Sequence, residues 1–417
     1  MSQGEIRMNT QDGNPFNRQV LVVGAGPVGL TAALALRSLG LPATVLEAER
    51  EGRPRPGSRA IYIHKATLKH LEEISPGLGF DFAKHGLVWP IKRTLFRGNE
   101  VYVKKYDTPK SDEIPPFSSL PQDVIERLLY RACLEAGVEF VWNTPIKEVK
   151  TSPSGAILTV EDGSVWTADY VIAADGARSV VRKTVGIEME GPRTNDFFLV
   201  VDVKEDEENP MPIERIFHYQ HPAMGGRNVM FVPFAGHWRV DLQLLEGDDP
   251  EAFGGIDGVK KWLPKVMDAK YADRVTWVST YQFYQVVAKS FTDVHKRVLL
   301  AGEAAHLFAP FGARGMNSGV PDAIVAAKAI KAASEAKNAD EANDFIAKGA
   351  EERRTAGLYN RGASNTALEH IQGSSPYMNM KREVAASLSP FIPRLGRWLD
   401  EGPYGPKSGP PELGTKY

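Results

Sequence analysis

Three glycine-containing stretches, far apart in the chain, each follow a short apolar run that is typical of a buried strand. They are VLVVGAGPVG at 20–29, YVIAADGARSVVR at 170–182 and VLLAGEAAHLFAPFGARGMN at 298–317. One glycine-rich turn can bind the phosphates of many nucleotides. A turn near the N-terminus combined with two distant strand ends is what a single extended dinucleotide requires. The three stretches together therefore indicate a flavin cofactor.

The first stretch has the glycine spacing of a dinucleotide-binding turn. The sequence predicts strands at 19–23 and 43–47 and a helix at 27–39 between them, which is one βαβ unit. The glycines of such a unit let the chain turn, approach a pyrophosphate and pack the helix on the strand, while an acid ending the second strand binds ribose hydroxyls. The predicted cofactor contacts here are Gly24, Gly26, Pro27, Val28, Gly29, Glu47 and Ala48.

The second stretch ends its apolar run in Asp175 and Gly176. Asp-Gly favours a simple turn anywhere in a chain, and Asp162-Gly163 is expected to be such a turn between two strands. Asp175 differs because it follows a buried strand and leads into the basic start of a helix. A cofactor contact and an ordinary turn both remain open on this motif alone.

The third stretch predicts a strand at 299–301, a glycine-rich loop and then a helix. Pro321 is expected within the first turn of that helix, so the helix should begin near Asn317 or just after it. The unpaired N–H groups at its start could stabilise negative charge on a reduced flavin. The predicted contacts are Gly302, Glu303, Pro310, Gly312, Gly315, Met316 and Asn317.

Charge and composition argue for small-molecule partners. Lys and Arg number 50 against 52 Asp and Glu, a net charge of -2, which provides no broad surface for nucleic acid or an anionic membrane. No apolar run approaches the roughly 18–20 residues of a membrane span, and the first 18 residues lack an apolar signal core. We expect a cytoplasmic protein without a metal cluster, and the sequence does not indicate an oligomeric state.

The order of the predicted elements indicates the α/β class. We expect a Rossmann-like FAD-binding domain, interleaved with a β-sheet substrate domain and followed by a C-terminal helical segment. The expected boundaries are 17–90, 120–194 and 286–340 for the FAD-binding domain, 91–119 and 195–285 for the β-rich substrate domain, 341–400 for the C-terminal helices and 401–417 for a Gly/Pro-rich tail.

The three motifs, in their order and spacing over about 19–336, resemble those of the class A flavoprotein aromatic hydroxylases, the family of para-hydroxybenzoate hydroxylase. The resemblance implies that Arg59 contacts the cofactor and that Gln122, which opens a helix, contacts the ribityl chain. It also implies that Asp175 serves the pyrophosphate and the reduced nicotinamide. The family's strand-end aspartate is Glu303 here, a carboxylate that is one methylene longer.

The resemblance implies a monooxygenase reaction. NADPH or NADH reduces the flavin, O2 adds at its C4a atom, and the resulting hydroperoxide hydroxylates an aromatic substrate. Two alternatives remain: epoxidation or another oxygenation of a non-aromatic natural-product intermediate, and a catalytically silent flavin-binding protein. The motifs do not choose between NADPH and NADH.

Substrate contacts are expected from the β-rich segment. On the strand predicted at 238–245, Arg239 belongs to a polar face that either meets water or turns inward to contact a substrate anion or the flavin. His218 and Tyr219 alternate faces on a neighbouring strand, so one of them could help to remove a phenolic proton. His306 is expected to be structural.

Overall fold

The strands and helices of the computed structural model follow the predicted order. Residues 17–53, 62–110, 112–373 and 375–406 are described, so Arg59 and the tail beyond Pro406 lie outside the described residues. The strands are, in chain order, β1 (Asn17–Val23), β2 (Thr44–Leu46), β3 (Tyr62–His64), β4 (Ile91–Phe96), β5 (Asn99–Lys105), β6 (Phe117–Ser119), β7 (Glu139–Val141), β8 (Ile146–Ser152), β9 (Gly155–Val160), β10 (Val165–Ala173), β11 (Met189–Glu190), β12 (Arg193–Lys204), β13 (Glu214–Tyr219), β14 (Val229–Phe234), β15 (His237–Gln243), β16 (Val275–Tyr284), β17 (Val286–Ala288), β18 (Val298–Leu300) and β19 (His306–Leu307).

The α-helices connect and cover these strands. They are, in chain order, α1 (Pro27–Ser38), α2 (Lys65–Ile74), α3 (Leu78–His85), α4 (Gln122–Glu135), α5 (Val180–Thr184), α6 (Pro250–Gly254), α7 (Ile256–Trp262), α8 (Arg314–Ser334), α9 (Ala339–Gln372), α10 (Pro376–Leu388) and α11 (Pro393–Glu401). Among the described residues, no helix is both long and apolar enough to cross a bilayer.

The first sheet is parallel at its centre. Its parallel strands lie in the order β7, β2, β1, β10 and β18. The N-terminal half of β10 also pairs with antiparallel β9, which pairs in turn with β8. The apolar residues of β1 and β10 are buried because helices cover the sheet, and α1 packs against both α4 and α8. This arrangement belongs to the predicted α/β class.

The second large sheet is mixed, in the strand order β16, β12, β15, β14, β13, β4 and β5. All its neighbours are antiparallel except β13 and β4. On one face, apolar side chains of β12, β14 and β15 pack with α7 in a separate core. The other face is turned toward the loop before α8 and the C-terminal helices, so both of its faces are covered.

The predicted start of α8 is wrong. The helix begins at Arg314, and Pro321 lies inside it rather than in its first turn. A proline in a helix interior removes one hydrogen bond and costs about 3 kcal/mol. The helix continues because its flanks are buried: Val320 and Asp322 are each 1% exposed, and packing outweighs the local cost.

Candidate functional site

The three glycine-containing stretches meet at one edge of the parallel sheet. The register pairs Val23 with Ala173 and Ala173 with Leu300, so the carboxyl ends of β1, β10 and β18 lie side by side. Gly24 has φ +103°, and a Cβ on it would lie 2.5 Å from the carbonyl oxygen of Ala174. Two of the stretches are therefore in contact through backbone that only glycine permits.

The turn after β1 contains two kinds of glycine. A Cβ on Gly29 would lie 1.9 Å from the carbonyl oxygen of Gly24, so this glycine is required for packing α1 on the strand. A Cβ on Gly26 would have no neighbour within 4 Å, and Gly26 is the N-cap of α1. Open space at a helix N-terminus is the setting in which an anionic phosphate binds.

Val28 connects this turn to the third stretch. A Cβ added to Gly302 would lie 2.9 Å from Cγ2 of Val28, and one added to Gly319 would lie 2.5 Å from the same atom. The Val28 side chain therefore occupies the space that the two glycines leave. The predicted contacts Pro27 and Val28 are half-buried beside this junction.

Glu47 directly follows β2, at the strand end where the sequence predicted an acid, and its carboxylate faces the first turn. It accepts hydrogen bonds from the backbone N–H of Ala25 at 2.6 Å and of Glu49 at 3.1 Å, and Arg53 lies 3.6 Å away. The side chain is 7% exposed, while Ala48 beside it is exposed. The carboxylate is thus held beside the turn, where a ribose contact stays a prediction.

Asp175 binds the start of α5. Its carboxylate accepts hydrogen bonds from the hydroxyl of Ser179 at 2.6 Å and from the backbone N–H of Val181 at 3.1 Å. Burial raises the pKa of Asp175, and these bonds oppose that shift. Gly176 has φ +77° with open space around it. The motif therefore makes a structured helix entry, and its contact with a cofactor stays a prediction.

A buried charge network supports the third stretch, and its centre is Asp322, which the motifs did not predict. Its carboxylate accepts from the backbone N–H of Gly302 at 3.1 Å, from Nε2 of His306 at 2.6 Å and from Nε of Arg353 at 2.8 Å. The two partners lower the pKa of Asp322 against the effect of burial. The available sequence signal for Asp322 was a carboxylate within the otherwise apolar segment VPDA. The network gives His306 a structural contact, while Glu303 is exposed.

The segment 310–317 comprises the loop before α8 and the first turn of that helix, and Asn317 holds its C-terminal end. The side chain of Asn317 accepts hydrogen bonds from the N–H of His64 and the hydroxyl of Thr67 and donates to the carbonyls of Tyr62 and Ala313, which ties α8 to β3 and α2. Pro310 and Gly315 are exposed, Met316 is half-buried and Gly312 has φ +77°. The amide of Asn317 is therefore engaged by protein, so only its backbone is available to a cofactor.

Gln122 opens α4, as predicted, and its Nε2 donates to Glu126 at 2.9 Å. Its side chain is half-buried. Arg59, the other contact that the family resemblance implies, lies outside the described residues. Both assignments stay predictions.

The polar face of β15 turns inward instead of meeting water. Arg239 is 5% exposed and donates to both carboxylate oxygens of Asp202 on β12, at 2.8 and 2.9 Å. The buried carboxylate neutralises the guanidinium, so the geometry does not favour Arg239 as the group that binds a substrate anion. Asp241, two residues further, has a buried oxygen without a hydrogen-bond partner among the described residues, and burial raises its pKa to about 7.

His218 and Tyr219 point to opposite faces of β13, as predicted, and both are engaged. Nε2 of His218 accepts from the N–H of Gly98 at 3.0 Å, and the Tyr219 hydroxyl donates to the carbonyl of Leu399 at 2.8 Å. Burial lowers the pKa of His218 to about 4 and raises the pKa of Tyr219. Neither side chain lines the cavity at the third stretch.

Arg215 is a second residue of interest that the sequence motifs did not predict. It lies on the inward face of β13, is 3% exposed, and donates from Nη2 to the sulfur of Met230. Its Nη1 is buried without a hydrogen-bond partner in the described part of the chain. Its guanidinium lies 5.2 Å from the ring centre of Tyr404. The one available signal was its position in the segment ERIFHY, which has the pattern of a buried strand.

A cavity of about 380 Å³ lies between the third stretch, β3, the mixed sheet and the C-terminal segment. Its lining is aromatic and basic: Tyr62, His64, Lys65, Lys92, Tyr102, Lys104, Tyr106, Pro116, Phe117, Gly312, Arg314, Arg397, Asp400, Glu401 and Tyr404. Burial lowers the pKa of His64 to about 3 and raises the pKa values of Tyr62 and Tyr106. At neutral pH the imidazole is therefore uncharged and the phenols are protonated.

Comparisons with known proteins match this architecture. The family model described as "FAD binding domain" matches residues 17–355. Para-nitrophenol 4-monooxygenase of Pseudomonas sp. (strain WBC-3) is 30% identical over 340 residues, which cover 78% of each chain. The 6-methylpretetramide 4-monooxygenase of Streptomyces rimosus is 29% identical over 323 residues, which cover 73% of this chain and 54% of that protein.

Solved structures give the same fold. The crystal structure of p-nitrophenol 4-monooxygenase PnpA from Pseudomonas putida DLL-E4 superposes with a TM-score of 0.76 at 23% identity and covers 94% of this chain and all of that one. The flavin-dependent monooxygenase PieE, solved with FAD and substrate, gives a TM-score of 0.73 at 20% identity over 93% of this chain and 72% of that one. At these identities the likeness concerns the fold alone.

Proposed function

The chain belongs to the FAD-binding domain family of flavin-dependent monooxygenases, and from that premise we propose that it hydroxylates an aromatic substrate with O2 and NADPH or NADH. The predictions of FAD as cofactor and of monooxygenase chemistry are confirmed by the family match and the relatives. These comparisons do not favour the alternatives of non-aromatic oxygenation or a silent flavin-binding protein. The substrate and the nicotinamide donor belong to the proposal.

The residues at the strand ends fit a bound FAD. Open space around Gly26 at the N-terminus of α1 suits the pyrophosphate, and the exposed carboxylate of Glu303 suits a ribityl hydroxyl. The segment 310–317, which is the loop before α8 and the first turn of that helix, suits the ring, because its glycines let backbone approach a ligand closely. When bound, FAD supplies the electrons and the activation of O2; the chain must bind the substrate, orient it and exclude water.

The position and lining of the cavity are the observation that carries the proposal. It lies against Gly312 and Arg314 of the loop that we assign to the flavin ring. Tyr62 stacks on Phe117 with ring centres 4.9 Å apart, which provides flat apolar surface for an aromatic ring and limits water. Basic side chains at the same walls favour an aromatic substrate with an anionic group.

Arg215 is the side chain that we assign to the substrate's anionic group. It pairs in the sheet register with Lys92, which lines the cavity, and its guanidinium lies beside the ring of Tyr404, which also lines it. A carboxylate or phenolate oxygen would satisfy the buried Nη1 that has no partner in the described part of the chain. Lys92 itself is neutralised by Asp400 at 2.6 Å.

Proton transfer on this face would involve a carboxyl group. The phenols of Tyr62 and Tyr106 have pKa values raised by burial, so they donate hydrogen bonds to a substrate oxygen and do not accept its proton near neutral pH. Asp241 has a pKa raised by burial to about 7, so it can exchange a proton in the working range. Asp241 pairs in the sheet register with Met230, whose sulfur accepts from Arg215, so it lies on the face of the sheet that carries the proposed anion site. On that placement it is our candidate for taking a phenolic proton.

The test is the oxidation of NADH and NADPH by the FAD-loaded protein with hydroxybenzoates, nitrophenols and fused-ring phenols. We expect an aromatic anion to stimulate the oxidation and to yield a product that carries one atom of ¹⁸O from ¹⁸O2. Bound flavin with no stimulated oxidation by any aromatic would overturn the proposal.

A pair of variants tests the assignment of Arg215 within that assay. Arg215→Met should raise KM for the anionic substrate about tenfold or more, since a charged hydrogen bond is lost. Arg93→Met is the control, because Arg93 is on the neighbouring strand β4 but pairs with Glu214 and Glu100 outside the cavity. An unchanged KM in Arg215→Met would remove Arg215 from the site.

A further inference from the structure

Arg314, the first residue of α8, is directed at the C-terminal segment. It is 1% exposed, and its Nη2 donates to the carbonyl oxygens of Tyr404 at 3.0 Å and of Pro406 at 2.7 Å. Its Nη1 donates to Oδ1 of Asn360 at 2.8 Å, and Asn360 donates to the hydroxyl of Ser318 at 3.0 Å. The start of α8 is thereby bound to residues that follow it by about ninety positions.

The C-terminal segment 402–406 fits against its neighbours without space for side chains at its glycines. A Cβ on Gly405 would lie 2.3 Å from the carbonyl oxygen of Ala363, and one on Gly402 would lie 2.0 Å from Nε2 of His370. On the loop side, a Cβ on Gly312 would lie 2.7 Å from the carbonyl oxygen of Tyr404. The segment is therefore packed between α9 and the loop that precedes α8.

The chain just before this segment is bound to the mixed sheet. Asp400, 1% exposed, pairs with Lys92 at 2.6 Å and accepts a hydrogen bond from the hydroxyl of Thr94 at 2.9 Å. Both partners belong to β4. The C-terminal segment thus connects the sheet on one side of the cavity with the loop on the other, and Tyr404 forms part of the wall between them.

We propose that Arg314 is a positioning residue through which the C-terminal segment 402–406 holds the loop at 310–315 against the flavin ring. Without the two carbonyl contacts, the N-terminus of α8 and the backbone of Gly312 lose their restraint on the cavity side. Flavin affinity and the polarity around the ring then change together. This inference concerns the flavin and not the substrate, so it does not depend on which compound is oxygenated.

The experiment compares Arg314→Gln with Arg382→Gln in the full chain. Arg382 is an equally buried arginine that donates to the carbonyl oxygens of His370 and Ile371, at 3.0 and 2.7 Å, away from the loop. We expect Arg314→Gln to raise the FAD Kd about tenfold or more and to shift the visible absorption of bound flavin. We expect Arg382→Gln to lower Tm without changing either flavin property.

A second arm removes the segment itself. In a chain that ends at Glu401, the FAD Kd should rise as in Arg314→Gln, and the two changes together should raise it by less than the product of their separate effects. If Arg314→Gln does not fold, Arg314→Lys replaces it, because lysine keeps the charge but cannot bind both carbonyls with one planar group.

Three results would overturn the proposal. They are equal flavin effects in Arg314→Gln and Arg382→Gln, an unchanged FAD Kd and spectrum in Arg314→Gln, and effects that multiply fully in the double change. None of these readouts uses substrate turnover, so failure of the proposed hydroxylation would leave the test intact.

Discussion

The edge of the parallel sheet and the inward face of the mixed sheet form their sites by different means. At the parallel edge the backbone sets the geometry: Gly24 and Gly29 permit close contacts, and α1 presents its N-terminus to open space. On the mixed sheet, ion pairs between strands set the geometry. The pair with Asp202 neutralises Arg239, so this arginine is not favoured as a group that binds a substrate anion. Glycine positions can be identified from sequence, whereas the partner of a charged side chain cannot.

The largest expected effect tests the backbone-defined edge. Gly29→Ala places a Cβ 1.9 Å from the carbonyl oxygen of Gly24, a rigid backbone atom, so we expect no folded protein at ordinary temperatures. Gly26→Ala has no such clash and keeps an extended backbone at φ -77°. It should leave Tm of the flavin-free protein unchanged while raising the FAD Kd. Thermal unfolding and flavin titration measure both.

The two variants distinguish the packing role of Gly29 from the ligand-binding role of Gly26 in the same turn. Normal flavin affinity in Gly26→Ala would show that the pyrophosphate does not bind here, whatever Gly29→Ala does. A stable, soluble Gly29→Ala protein would contradict the backbone contact itself.

The second prediction concerns the charge network beneath the edge. Asp322→Asn leaves the buried guanidinium of Arg353 without its counter-ion and weakens the bond to His306, so we expect a loss of about 3–5 kcal/mol in the free energy of unfolding. Lys331→Ala is the control on the same helix, since its pair with Glu335 is largely exposed and should contribute less than about 1 kcal/mol. Urea unfolding measures both, and equal losses would contradict the network.

The third prediction contrasts two arginines of the mixed sheet. Arg239→Met should lower the free energy of unfolding by about 3 kcal/mol, because it leaves Asp202 buried without its cation. Arg215→Met removes a guanidinium that forms no ion pair with a carboxylate in the described part of the chain, so its cost in stability should stay below about 1.5 kcal/mol. Denaturant unfolding of the two variants measures the difference. The reverse order would mean that Arg215, and not Arg239, is the structural arginine.

The sequence predicted the central strands β1, β2, β10 and β18, the helix α1 and the glycine turns of the flavin side, because periodicity and turn chemistry are local. It predicted a helix start at Asn317 from Pro321, but burial of Val320 and Asp322 outweighed the local rule. It predicted Glu47 at a strand end but could not identify Asp322, whose role depends on Arg353, 31 residues away.

On the mixed sheet, even more of the site depends on contacts between residues that are far apart in the sequence. The alternation along β15 correctly placed Arg239 on a polar face, yet the direction of that face depends on what covers the sheet. Arg215 was missed because its importance comes from a buried Nη1 that has no hydrogen-bond partner among the described residues, which no local pattern records.

The smallest expected effect is a pH dependence on the mixed sheet, due to Asp241. Its folded pKa of about 7, raised by burial, lies above the ordinary value of about 3.9. At pH values between these two pKa values, Asp241 therefore keeps its proton in the folded protein and has lost it in the unfolded chain. The stability from this group is complete below about pH 4 and is lost as the pH rises through about 7.

Asp241→Asn should remove this loss of stability with rising pH. The difference in the free energy of unfolding between the variant and the original protein should change by about 1–2 kcal/mol from pH 5 to pH 8, a modest value because the residue is partly exposed. The difference is needed because His64, with a pKa lowered by burial to about 3, contributes the opposite slope: its stability is present above about pH 6.5 and is lost as the pH falls. Urea unfolding of both flavin-free proteins measures it. Parallel curves would mean that Asp241 is already ionised in the folded state, and the mixed sheet would then lose its candidate for proton transfer.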